Sequence, residues 1–175
     1  MIGLIIVIVA FAAYAIENTE DEPILVTGLE IDNVKSPGFY VLSEAQESHL
    51  RQHGYPNSFL ILFYEETQPD GQRVLIREET WYYYESGYQI TYHNGAIFNE
   101  YQQTSQSDSL SSTTYRPELF IHEMNMEEVL ATAGQNNYLE NPIEEELLEN
   151  ADLYFTKGLA FGIADGKLLY LETVP

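Results

Sequence analysis

The sequence predicts an α+β protein: two similar helix-plus-antiparallel-sheet units after an N-terminal apolar helix. Three observations predict it. Between Leu42 and Asn99 a short helical pattern is followed by strand-like runs at FLILFYEE, RVLIREETWYYYE and GYQITYHNGAIF, separated by turn residues. The same order returns more loosely from Met124 to the C-terminus. Between the two, Gln102 to Thr114 is polar and serine-rich with a single Leu110, which reads as a linker.

Taken in order, Met1 to Ile16 is apolar and uncharged, and Glu17 to Pro23 is an acidic tether without hydrophobic periodicity. Sixteen residues of helix reach roughly 24 Å, near the lower limit for spanning a bilayer. Ile5, Ile6, Val7, Ile8, Val9 and Phe11 would be its membrane-facing residues. Ala13 and Ala15 equally form an A-x-A-like signal-peptide site, although the segment lacks a basic beginning. Anchor and cleaved signal both remain open, and a buried core helix is a third reading. In the first two the body is exported. No Lys or Arg precedes Lys35 to hold it in the cytoplasm. The body is then membrane-anchored outside the cytoplasm, or secreted or periplasmic if the segment is cleaved.

The first unit covers residues 24–101. Ile24 to Ile31 and Gly38 to Leu42 read as short strands. Ser43 with Gln46 three residues on makes a capping box for a helix from Glu44 to about His53, which Gly54 and Pro56 terminate. Phe59 to Glu65, Val74 to Tyr84, Gly87 to Tyr92 and Ala96 to Tyr101 then follow as strands, with Pro69-Asp70-Gly71 and Asn94-Gly95 as turns. The second unit covers residues 115–175. Asn125 caps a helix with Glu128 at its third position, and Gly134 ends it. Gln135 to Pro142 reads as a loop and Ile143 to Glu149 as a helical turn. Strands are expected at Asp152 to Thr156, Leu159 to Ala164 and Lys167 to Thr173. Each unit is small, so packing the two against one another is the expected way to bury their aromatic faces.

Composition narrows the chemistry. The 175 residues carry 7 Lys and Arg against 28 Asp and Glu, a formal charge of −21, which repels nucleic-acid backbones and anionic membrane surfaces. The absence of cysteine excludes disulfides, thiolate metal sites, thiol nucleophiles and a lipidated-cysteine anchor. His49 and His53 have helical i, i+4 spacing, but no H-E-x-x-H glutamate or third ligand accompanies them, and a solvated helix face explains the pair. The paired glutamates at 65–66 and 78–79 and the run at 144–146 read as solvated acidic surface. No calcium loop, G-x-S-x-G, phosphate loop or dinucleotide fingerprint occurs. No metal, cofactor or catalytic residue is therefore assigned.

One constellation stands out. Trp81, Tyr82, Tyr84, Tyr88 and Tyr92, with Tyr83, crowd two adjacent strands. Side chains alternate along a strand, so Trp81 and Tyr83 take one face and Tyr82 and Tyr84 the other. Core packing between units accounts for such a set; so does a contact surface, because Tyr and Trp are enriched at binding hot spots.

The helix at Met124 to Leu130 with Gly134, the Leu50 to Pro56 end with its Gly-x-Pro, and the Trp81-Tyr82-Tyr83-Tyr84 strand with Ile90 to Phe98 resemble the outer-membrane assembly lipoproteins of the SmpA/OmlA (BamE) family. Tandem use of such a unit is similar to the β-lactamase inhibitor protein. The resemblance implies an envelope protein that binds other proteins. The function expected is a non-catalytic exported protein-binding module that contacts partners through an aromatic sheet face. The alternative is a structural subunit of a membrane complex or surface assembly that uses the N-terminal helix.

Overall fold

Two capping boxes and a series of tight turns fix the local structure. The computed structural model describes residues 24–102, 112–141 and 151–174. Helix α1 (Glu44–His53) begins where the Ser43 side chain accepts from the Gln46 backbone and the Gln46 side chain accepts from the Ser43 backbone. Helix α2 (Met126–Ala133) begins with the equivalent exchange between Asn125 and Glu128 and ends on Gly134 in the left-handed conformation. The strands are β1 (Ile24–Val26), β2 (Ser58–Thr67), β3 (Arg73–Tyr83), β4 (Tyr88–His93), β5 (Ala96–Gln102), β6 (Tyr138–Asn141), β7 (Asp152–Thr156), β8 (Leu159–Ala164) and β9 (Lys167–Thr173).

All nine strands join in one antiparallel sheet, in the order β1-β6-β7-β8-β9-β2-β3-β4-β5. This corrects the expectation of two helix-plus-sheet units packed against one another. The halves meet edge to edge, where β2 pairs with β9 through Leu60 with Glu172, Ile61 with Leu171 and Leu62 with Tyr170. Two separate sheets would leave four open edges of unpaired backbone groups. Joining them leaves two, at β1 and β5. The strand expected at Ile24 to Ile31 is confined to Ile24–Val26, Gly38 to Leu42 forms no strand, and the expected loop after Gln135 contains β6. β6 bridges β1 to β7 across its whole length. The N-terminal apolar helix with Ile5, Ile6, Val7, Ile8, Val9 and Phe11, most of the serine-rich linker, and the Ile143 to Glu149 turn lie outside the described residues. Among the described residues no helix is long and apolar enough to cross a membrane.

Both helices lie on the same side of the sheet. There Phe59, Ile61, Trp81, Ile90, Phe161 and Leu171, all fully buried, form one core with Met124, Val129 and Leu130 from α2 and its entry. At about 1.5–3 kcal/mol for each large side chain removed from water, this face dominates the stabilisation. The second half therefore completes the core of the first. Phe120, just after the short 3-10 turn Pro117–Leu119, packs on Phe59 with ring centroids 6.3 Å apart.

The buried charged pair of this side is satisfied internally, whereas the Tyr92 hydroxyl, also buried here, has no hydrogen-bond partner among the described residues. Arg77, 4 % exposed, donates to Glu79 at 2.8 Å and to the carbonyls of Pro117 and Phe120. Glu79 also accepts from Gln46 of α1 and from the Trp81 indole. A buried ion pair is tolerable only when its remaining hydrogen-bonding capacity is used, and here it ties sheet, helix and 3-10 turn together. The β4–β5 turn is held at the same end. Gly95 lies at φ +81°, and a Cβ there would fall 2.8 Å from the Ser43 Cβ, so only glycine lets the turn sit under the start of α1.

Candidate partner-binding face

Strand alternation divides the aromatic set between two different environments. Trp81 pairs with Phe59 and Ile90, Tyr83 with Tyr88, and Glu79 with Tyr92, which puts all of these on the helix-covered side. Trp81 and Tyr92 have no exposed surface, and their rings meet edge to face at 5.0 Å. They are core residues in this conformation. Tyr88 is half-buried near the margin of the same side. Its hydroxyl lies 3.1 Å from His49 Nε2, and its ring stacks against His49 and His53. His49 is half-buried with its Nδ1 held by the Ala45 carbonyl, whereas His53 stays exposed to solvent beside its tyrosine neighbours. No metal-binding group of three His, Cys, Asp or Glu occurs among the described residues.

Tyr82 and Tyr84 point the other way. They are half-buried on the helix-free side, where a smaller cluster of Leu60, Ala160 and Tyr170 is flanked by Leu62, Tyr82 and Phe155. Burial, reinforced by Glu172, pushes the Tyr82 hydroxyl well above its ordinary range, so it is a neutral donor at any physiological pH. Tyr84 shares a hydrogen bond with Ser58, and Thr80 with Thr91 across β3 and β4.

The sequence reading missed the carboxylates of this face. Glu172 is 8 % exposed and accepts from the Tyr170 hydroxyl, and burial raises its pKa above the usual carboxylate value. Glu78 accepts at Oε2 from the Tyr64 hydroxyl at 3.2 Å and lies 2.9 Å from His93 Nε2. His93 in turn stacks on Phe98 at 3.8 Å between centroids and an 11° interplanar angle. The one available signal was positional, since Glu78 and His93 occupy facing places on strands joined by a short turn. Both arginines of β2–β5, Arg73 and Arg77, sit at register positions on the helix-covered side.

The two ends of this face differ in exposure. Around the β2–β9 pairing at Leu60–Leu62 it is closed, whereas large apolar groups meet solvent farther along β2, where Tyr64 is 37 % exposed, and on β5, where Tyr101 is 49 % and Phe98 66 % exposed. Every residue of β5 is exposed. A surface of tyrosine, aliphatic and hydroxyl side chains with isolated carboxylates can make apolar and hydrogen-bonded contacts over a broad area. No family model, curated protein or solved structure matches the chain.

Proposed function

We propose that this protein is a non-catalytic protein-binding module whose partner lies on the helix-free side of the sheet, toward β4 and β5. The observation that carries the reading is the tyrosine-rich surface of that side: it holds half-buried Tyr82 and Tyr84 together with exposed Tyr64, Phe98 and Tyr101, and neither helix covers it. Contiguous exposed apolar and aromatic surface rimmed by polar groups is the ordinary composition of an interaction site. The net charge of −21 favours a protein partner with a basic surface over nucleic acid. Trp81 and Tyr92 serve the reading indirectly, by holding β3 and β4 rigid. An exported location, anchored or released, belongs to the same proposal and rests on the residues of the N-terminal segment.

The test is affinity capture from the cells that make the protein, using the parent chain, Tyr82→Asp and Gln52→Asp. Gln52 is an exposed residue of α1 on the opposite side of the sheet. A partner retained by parent and Gln52→Asp and lost with Tyr82→Asp supports the reading. A partner lost only with Gln52→Asp transfers the interface to the helical side and ends it.

A further inference from the structure

Four neighbouring strands each contribute one side chain to a single spot on the helix-free face: Tyr64 from β2, Glu78 from β3, His93 from β4 and Phe98 from β5. At a strand spacing of roughly 4.8 Å they span about 14 Å, the width of one or two partner side chains. Both contacts to Glu78 fall on Oε2, and among the described residues none bonds Oε1. The Glu78 side chain is 29 % exposed, so that oxygen can be approached. Tyr64 flanks it on one side, and the stacked His93 and Phe98 rings flank it on the other. We propose that this spot is a recognition site for a cationic side chain, arginine or lysine, presented by the protein partner.

Two independent physical terms favour that ligand. Aromatic faces attract a cation placed over them, and a carboxylate with one oxygen unbonded accepts a strong charge-assisted bond at that oxygen. Apart from His93, which bonds Oε2, no basic side chain among the described residues pairs with Glu78. Arg73 lies on the other side of the sheet and pairs with Glu65, and Arg77 is engaged with Glu79 in the core. With a formal charge of −21, the positive group must come from outside. Hydrogen bonds from Tyr64 and His93 fix the carboxylate before the ligand arrives, which lowers the ordering cost of binding. The site rests on the partner-binding reading for its biological use, although its chemistry can be tested without the partner.

Two-dimensional NMR of the parent chain, titrated with N-acetyl-arginine amide, N-acetyl-lysine amide and the neutral isostere N-acetyl-citrulline amide, tests it. The expected result is saturable shifts centred on Tyr64, Glu78, His93 and Phe98 with one or both cations, and none with citrulline. Glu78→Gln should weaken the binding by about tenfold, as loss of one charge-assisted contact implies. Phe98→Ala, at an exposed position where folding is not at stake, should weaken it by roughly threefold as the cation–π contact goes. The stronger of arginine and lysine identifies the side chain. Equal binding of citrulline, or an affinity indifferent to Glu78→Gln, overturns the site. If the cations fail while partner capture still depends on Tyr82, the inference falls and the partner-binding reading stands. If they bind as expected while capture does not depend on Tyr82, the site stands without that reading.

Discussion

The two sides of the sheet handle charge in opposite ways. On the helix-covered side Arg77 and Glu79 are buried together, and Gln46, Trp81 and two main-chain carbonyls take up their remaining hydrogen-bonding capacity. On the helix-free side Glu78 and Glu172 are held only by tyrosines and a histidine, with no Lys or Arg beside them. The first arrangement stabilises the fold; the second leaves carboxylates with capacity to spare. The proposed function follows that difference, with architecture on one side and recognition on the other.

The largest expected effects lie on the covered side. Trp81→Ala should cost about 3–5 kcal/mol in denaturant unfolding, because it opens a large cavity and frees an acceptor on Glu79. Glu79→Leu should cost a similar amount by leaving Arg77 buried without its counter-charge, and Arg77→Met combined with Glu79→Leu should recover much of the loss. Gly95→Ala should cost about 1–3 kcal/mol, since the left-handed backbone and the Ser43 contact both oppose a side chain. If the Glu79 and Trp81 variants proved mild, the contrast between the two sides would break.

Smaller effects belong to the free side. Burial raises the Glu172 pKa in the folded chain above its unfolded value, so the native state binds the proton more tightly. Stability should then fall as pH rises from about 4.3 through the folded pKa, and level off above it. Glu172→Gln should remove that contribution and raise stability at neutral pH, seen as a melting temperature that falls less steeply than the parent's across that window. Phe98→Ser should change stability by no more than about 0.5 kcal/mol, because its ring is 66 % exposed, while weakening partner binding.

Much of the local structure is legible in the sequence because its signals are local. The Ser43–Gln46 and Asn125–Glu128 boxes start their helices, and the Asn94-Gly95 and Asp165-Gly166 turns adopt positive φ at both residues. The single sheet is not legible. Its defining contact pairs Ile61 with Leu171, 110 positions apart, and no periodicity chooses between that edge pairing and face packing of two units. β6 is missed for another reason: Tyr-Leu-Glu-Asn carries little strand signal and is ordered by β1 and β7 on either side. In the candidate site, alternation separates Trp81 from Tyr82 correctly in phase. It cannot reveal which phase the helices cover, so Trp81 and Tyr92 looked as available as Tyr82 and Tyr84.

The most direct measurement places a photo-activatable crosslinker at position 82, at position 98 and, for comparison, at position 52, in separate full-length chains made in the native cells. A binding face on the helix-free side predicts discrete adducts to the same partner from positions 82 and 98 and none from position 52. Adducts from position 52 alone would contradict it and assign the partner to the helices.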